Sequence, residues 1–513
     1  MLPQWLTAFA GLGTIYLVGV LILFMLFFRY YFTISQPISG TVEWIYRSIS
    51  DKQWNLLRGR YSLKKADVLP ILTIVAIFFV LSLGNYFGAD VPDYSNVAIA
   101  RSDSFSGMPN PPLLPNPPLG YLINNFSDGI FGQMPTGGDF IKAVFEIFLL
   151  VVMYIVIKNI FGKTTVAVCG TLLLGFDFMR FVVSGPFLSS PWATSASELV
   201  IAAVFTLLSY LFMYHFMTTD KDAGFGKSIL PLALSGFFFG LAFSAVWAAF
   251  YFGFGLLAIL IVRLLGMRAY YREKYPEGGV FKAYLVRTLL ISGVFFIIIP
   301  AAIYISSYIL YGMAYDVSMS FSDIISAHRG MMSPPGSFII ETDSSQATTF
   351  GSAHYHSLWE AVLNIRPQII QESFTETSRS MVMLLGSPVI WWGGFLAIIT
   401  MIYRVTRQRD IRALAILIGY LGTLLPWIIR LERQPISLYF LSVPFLVLAL
   451  SHIFNTVISR GMKRSRQAVY LFTGTSGAAF AMFYPALIGM YMPLWFFYDF
   501  LNWLPGRWPF GSN

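Results

Sequence analysis

Cysteine is almost missing from this chain: Cys169 is the only one, and it sits inside an apolar run. A single thiol excludes an internal disulfide framework and any multi-cysteine metal site. Charge is scarce as well. Only 12% of the residues are charged, against about 25% in ordinary soluble domains. Histidine is thin, and His354 and His356 form the one close pair. Their i,i+2 spacing suits a strand or loop, not one helix face, and without cysteines nearby they make a poor zinc set. No acidic pair of metal-binding type stands out, so no metal requirement and no cofactor are expected. The start of the chain has neither the basic residues nor the small-residue cleavage site of a removable leader.

What the chain does have is apolar length. Hydrophobic residues make up 56% of it, and many runs reach the roughly 20 residues a bilayer span needs. The fold class is therefore an all-α polytopic membrane protein. The net charge of +9 is then no sign of nucleic-acid binding, because excess Lys and Arg in such proteins mark the cytoplasmic loops.

Reading the runs in order gives about twelve spans. A first span near 5–28 precedes a basic, partly amphipathic stretch, 31–66. Spans follow near 68–85, 140–160, 166–183, 197–217, 230–250, 252–262, 288–311, 381–403, 414–429, 438–455 and 468–497. The loops assigned to the cytoplasm hold 25 of the 34 Lys and Arg but only eight of the 25 Asp and Glu. That separation of signs supports the assignment and puts both termini outside. The chain divides into an added N-terminal helix (1–30), the linker (31–66), a transmembrane core (67–312), a second outer loop (313–379) and a C-terminal helical part (380–513). The first outer loop, 86–139, lies within the core segment.

That first loop is the first long polar interruption. It carries Asp90, Asp93, Tyr94, Arg101 and Asp103, then a proline-rich run ending in Asn116-Pro117-Pro118-Leu119-Gly120. Proline fixes φ and lacks an N–H, so this run cannot span as a helix. Three further stretches stand out. They are Phe176-Asp177-Phe178-Met179-Arg180-Phe181-Val182; Ser357-Leu358-Trp359 with Asn364-Ile365-Arg366-Pro367 and Gly386-Ser387-Pro388-Val389-Ile390-Trp391-Trp392; and Tyr439-Phe440-Leu441-Ser442-Val443-Pro444-Phe445. In this order the four stretches resemble the motifs of the protein O-mannosyltransferase (PMT) family, within the GT-C glycosyltransferases. The resemblance covers residues 66 to about 500, and the first span looks like an addition. Departures are visible too. Val91 stands in place of the family's Glu, Asn116 in place of its His, and Leu438 in place of another His. The Arg-Ile-Ala-Thr-Ile-Asp run is absent, and Glu198 falls close to where its acid would be.

The resemblance implies a GT-C helical bundle and an inverting transfer of a hexose such as mannose. The donor would be a polyprenyl phosphate on the outer face, and the acceptor hydroxyl could belong to protein or glycan. Such chemistry needs a carboxylate to take the acceptor's proton and cations to stabilise the departing phosphate. Motif position makes Asp90 the first candidate base and Asp93 the second. Arg101, Arg180, Arg329, Arg366 and Arg433 are candidate phosphate ligands, since a guanidinium grips two oxygens and stays charged. His354 and His356 would add donors. Tyr94, Asn116, Pro117, Pro118 and Gly120 would frame the loop.

Plainer readings compete. A loop Asp beside proline commonly caps a turn. Asp177 and Glu198 lie in or at the ends of spans, where an acid faces a cavity or a partner, and one or the other is expected to pair with Arg180. Glu146 and Lys142, at i,i+4, read as an interfacial salt bridge. Trp391, Trp392 and the Trp-rich C-terminus read as interfacial belts. Two rival functions stand beside the transferase: an inactive GT-C-like scaffold binding lipid or a partner membrane protein, and a lipid or polymer transporter.

Overall fold

The computed structural model describes residues 63–87, 116–131, 137–184, 194–221, 225–275, 279–314, 318–332, 355–430, 434–459, 461, 463–497 and 501. The expected first span, most of the linker, Asp90, Asp93, Tyr94, Arg101, His354, Arg433, the Lys142 side chain and the tail after residue 501 lie outside the described residues.

In hydrocarbon every backbone polar group must be met within the segment, so apolar runs become helices. Helix α1 (Lys65–Phe87) is followed by α2 (Leu119–Phe131), α3 (Gly137–Phe161), α4 (Thr164–Gly175), α5 (Phe178–Val183), α6 (Thr194–Thr218) and α7 (Phe225–Ala245). A 3-10 turn, Trp247–Tyr251, leads into α8 (Phe252–Lys274). Next come α9 (Gly279–Gly293), a π turn (Val294–Ile298), α10 (Ile299–Ala314) and α11 (Phe321–Met332). Among the described residues nine helical segments are long and apolar enough to cross a membrane, and Thr164–Gly175 is a shorter apolar helix. The protein is a multi-pass membrane protein.

The second half mixes helices with short strands. These are β1 (Tyr355–His356), α12 (Leu358–Val362), β2 (Gln368–Phe374), β3 (Ser378–Leu384), α13 (Pro388–Gln408), α14 (Ile411–Arg430) and β4 (Gln434–Pro435). A 3-10 segment (Ile436–Ser442), α15 (Val443–Ser459), α16 (Lys463–Leu487) and β5 (Met492–Pro493) complete it. Two small antiparallel sheets result, β1–β4 and β2–β3–β5.

Three expectations need correcting. The span read as 381–403 begins as strand β3, and its helix starts only at Pro388, which tolerates the first helical turn because no N–H is needed there. The span read as 166–183 is broken: α4 stops at Gly175 and α5 restarts after Asp177, which caps it. The loop 86–139 contains helix α2, and 313–379 contains α11, α12 and most of the sheet residues.

Helix α7 is approached closely by the backbone of a neighbouring segment. A side chain on Gly236 would strike the Phe295 carbonyl, and one on Gly240 would lie 2.9 Å from Pro300 Cα. The two glycines are four apart, the small-residue spacing that lets membrane helices touch backbone to backbone. The facing π turn lies just before Pro300, which lacks the N–H a regular turn requires. The segment Gly279–Ala314 runs 36 residues, about 54 Å at 1.5 Å per residue.

One end of the bundle is basic and tied by ion pairs. Asp67 at the start of α1 accepts from Lys158 Nζ (2.7 Å), Tyr154 Oη (2.8 Å) and Thr164 Oγ1 (2.9 Å). Lys163 donates to Ser459 Oγ at 2.5 Å, and His452 meets Asp410 at 2.8 Å. The motif residues gather at the other, loop-bearing end.

Candidate active site

Three of the four motif stretches converge on one buried carboxylate. Asp177 Oδ1 accepts the backbone N–H of Arg180 at 3.1 Å, closing the first turn of α5. Its Oδ2 accepts the indole N–H of Trp391 at 2.9 Å and the backbone N–H of Ser387 at 3.3 Å. The Trp391 ring lies 4.7 Å from that of Tyr439, whose hydroxyl is 2.9 Å from the Tyr420 hydroxyl. Burying an acid is costly unless its lone pairs are met, and here three donors from two chain segments meet them. Trp391 is fully buried, so it is part of this frame and not of an interfacial belt. Trp392 is partly exposed and donates to the Leu363 carbonyl at 2.8 Å.

The corner that delivers Ser387 and Trp391 is fixed by Asn364. This residue is left-handed, at φ 52°, a conformation asparagine tolerates better than most side chains. Its amide clamps Gly386, donating to the Gly386 carbonyl at 2.8 Å and accepting the Gly386 N–H at 3.1 Å. A side chain on Gly386 would collide with the Trp391 indole.

Arg180 anchors a second network. Its partner is Glu146, not Asp177 or Glu198 as expected. The other terminal nitrogen donates to the Gly175 carbonyl at 2.8 Å, and the guanidinium lies over the Phe78 ring at 5.1 Å. Glu146 also accepts from Ser82 at 3.2 Å. Both members of the pair are enclosed, with Arg180 at 0% and Glu146 at 1% exposure. A phosphate reaching Arg180 would have to displace Glu146 in a closed interior, so Arg180 serves as a framework cation joining α1, α3 and α5. Glu146, read from sequence as an interfacial acid, is buried and paired with Arg180.

The first motif meets the bundle elsewhere. Asn116, Pro117, Pro118 and Gly120 are buried, and the Pro118 carbonyl accepts the Leu122 N–H at 3.0 Å to start α2. Gly120 rests on Glu198, near the N-terminus of α6: a side chain on Gly120 would collide with Glu198 Cγ and stand 3.0 Å from its Cδ. Glu198 is fully buried.

A tyrosine cluster ties the two long polar segments together. Tyr121 of α2 packs with Tyr304, Tyr308 and Tyr311 of α10 and with Ile324, Ala327 and Met331 of α11. The Tyr304 hydroxyl lies 3.0 Å from that of Tyr308 and 3.1 Å from His328 Nδ1. Burial pushes the His328 imidazole below its ordinary pKa. The sequence reading missed this cluster, although Tyr304, Tyr308 and Tyr311 follow the i, i+4, i+7 spacing of one helix face.

Of the candidate ligands, Arg329 and Arg366 are exposed. His356 lies in β1, consistent with its spacing, and its Nε2–H donates to the Arg366 carbonyl at 2.9 Å while its strand pairs with Gln434. Among the described residues no three of His, Cys, Asp and Glu gather as a metal set.

No family model matches the chain. Curated relatives do. The chain is 23% identical over 476 residues to the polyprenol-phosphate-mannose–protein mannosyltransferase of Mycolicibacterium smegmatis, covering 82% of this chain and 88% of that protein. The protein of the same name from Corynebacterium glutamicum is 23% identical over 490 residues, with 85% and 92% coverage. Among solved structures, the Saccharomyces cerevisiae protein O-mannosyltransferase Pmt1-Pmt2 complex bound to the sugar donor shares the fold. The TM-score is 0.58 at 12% identity, over 84% of this chain and 91% of that one.

Proposed function

We propose, for a chain that belongs with the protein O-mannosyltransferases of the GT-C superfamily, that it transfers mannose from a polyprenyl-phosphate donor to a hydroxyl of an acceptor protein. One observation carries this reading: the similarity to the mannosyltransferases runs through nearly the whole length of those relatives. Around it stands the architecture, in which motif stretches far apart in the chain share a buried frame at the loop-bearing end.

In the proposed reaction the acceptor oxygen attacks C1 of the mannosyl group. The C1–O bond to phosphate breaks and its electron pair leaves on the phosphate oxygen. Configuration at C1 inverts. Asp90 takes the hydroxyl proton, with Asp93 as the second candidate. Arg101, Arg329, Arg366 and Arg433 supply cations for the departing phosphate, each able to offer two parallel N–H groups. His354 would add a further donor. The loop-bearing end then faces the outside, with both termini on that side.

The test is reconstitution of the full-length protein in proteoliposomes with labelled polyprenyl-phosphate mannose and a Ser/Thr-rich acceptor protein. Transfer of label to the acceptor is the expected result; no transfer in the presence of both substrates overturns the reading. A scaffold without activity is the second reading, favoured by Val91 and Asn116 at positions where the family has Glu and His. It predicts a co-purifying membrane partner and no change in glycans when the gene is removed.

A further inference from the structure

We infer that the basic end of the bundle holds a binding site for the phosphate of an anionic phospholipid, formed by Lys163, Arg412 and Arg466. The site is independent of the transferase reading. Its three cations come from three separate helix connections: Lys163 lies between α3 and α4, Arg412 in the first turn of α14 and Arg466 in the first turn of α16. Helix α15 brings these connections together. Lys163 Nζ donates to Ser459 Oγ at 2.5 Å and lies 3.4 Å from the Asn455 carbonyl. One turn back along α15, His452 Nε2 is 2.8 Å from Asp410 Oδ2, at the start of α14. The His452 ring is 5.7 Å from that of Phe161, at the end of α3. Helix α16 begins directly after the turn that ends α15.

The charges in this cluster do not balance. Asp410 is already engaged, since its Oδ1 accepts the N–H groups of Arg412 at 2.9 Å and Ala413 at 3.4 Å and its Oδ2 meets His452. Among the described residues none of Lys163, Arg412 and Arg466 forms an ion pair. Burial and the neighbouring Arg466 and Arg412 guanidiniums hold the Lys163 ammonium below its ordinary pKa. Like charges gathered in this way repel until an anion joins them. Lys163 also stands at the N-cap of α4 and gives no side-chain cap there, so the positive end of that helix adds to the field. Lys163 helps to close the end of α15, but that role needs neither arginine. Position then selects the ligand. Helices α3, α14 and α15 contain membrane-length spans, and the cluster stands at their ends, at the depth of lipid headgroups. Ile411, next to Arg412, and Leu471, just over one turn beyond Arg466, are exposed apolar side chains. A phosphodiester with acyl chains uses both the cations, whose guanidiniums grip phosphate oxygens in pairs, and this apolar surface.

The experiment titrates the full-length protein, purified in neutral detergent, with phosphatidylglycerol, with phosphatidylcholine of the same acyl chains, or with inorganic phosphate. Native mass spectrometry counts bound lipid, and thermal unfolding reports stabilisation. Phosphatidylglycerol should bind more tightly than phosphatidylcholine, and added salt should weaken it. Arg412→Gln and Arg466→Gln should each weaken it about fivefold, the worth of one cation beside an anionic headgroup, and the double variant about 25-fold if the two act independently. Lys282→Gln, which removes an exposed cation of α9, should leave the affinity unchanged. Without lipid the arginine variants should melt no lower than the wild type, because a repulsion has been removed. A lower melting temperature there would show that the arginines hold the fold together and would overturn the site. Equal affinity for the two lipids, or an equal loss in Lys282→Gln, would reduce the effect to diffuse charge and overturn it as well. Stabilisation by inorganic phosphate matching that by phosphatidylglycerol would give the cations to a soluble anion and overturn the lipid assignment.

Discussion

The indole nitrogen of Trp391 and the carboxylate of Asp177 are 214 positions apart in the chain and 2.9 Å apart in the fold. The bond fastens the start of α13 to the break between α4 and α5. Phenylalanine at 391 would keep most of the ring's packing but leave the carboxylate one donor short. We expect Trp391→Phe to destabilise the protein by about 1.5–3 kcal/mol, the range for a hydrogen bond to a charged group. Thermal unfolding in detergent or nanodiscs measures it, and an unchanged melting temperature would show that the bond carries no weight.

Arg180 and Glu146 form an enclosed ion pair. Removing one member strands the other in a low-dielectric interior, at a cost of about 3–5 kcal/mol, whereas replacing both by apolar residues of similar volume can be neutral. Arg180→Met should therefore abolish stable expression or strongly lower the melting temperature, and Arg180→Met/Glu146→Leu should recover much of the loss. Recovery in the double variant distinguishes this from a requirement for the guanidinium itself.

Asp90→Asn should lower mannosyl transfer by about 10²–10⁴-fold, the usual contribution of a general base, with membrane expression intact. Asp93→Asn should cost less if Asp90 is the base, and the order reverses if Asp93 is. Equal, small losses in both would remove the first polar loop from the chemistry.

The pH dependence of α11 follows from His328. Burial lowers its pKa in the fold, so below about 6.5 the unfolded or released helix binds more protons than the packed one. Stability is then lost as pH falls from about 6.5 toward the folded-state value, and levels off below it. The protection of residues 321–332 against hydrogen exchange, taken relative to the intrinsic exchange rate at each pH, should fall between about pH 7 and pH 5. In His328→Gln that loss of protection should disappear.

Sequence reading reached the helices wherever length and apolarity decided the outcome, as in 140–160 or 197–217. It failed at 381–384, where an apolar run pairs with β2 as part of strand β3 instead of continuing the helix. Hydrophobicity alone does not distinguish a buried strand from a short piece of span. The motif residues were legible, but their partners were not. Arg180 was read as a phosphate ligand or as the partner of Asp177 or Glu198, the acids nearer in sequence, whereas the packing of α3 brings Glu146 to it. Asn364 was visible only as part of a motif and not as a clamp, since its left-handed backbone and its hold on Gly386 exist only once the corner before α13 has formed.

The rod formed by α9, the π turn and α10 is about 54 Å long, whereas bilayer hydrocarbon is only about 30 Å thick. Lipid thickness therefore becomes a mechanical input. A thinner membrane must be met by leaning the rod further or by letting more of it emerge. Gly236 and Gly240 hold it against α7 beside its widened turn. Because α10 carries Tyr304, Tyr308 and Tyr311, a change in acyl-chain length would reach the junction of the two polar segments with no ligand involved.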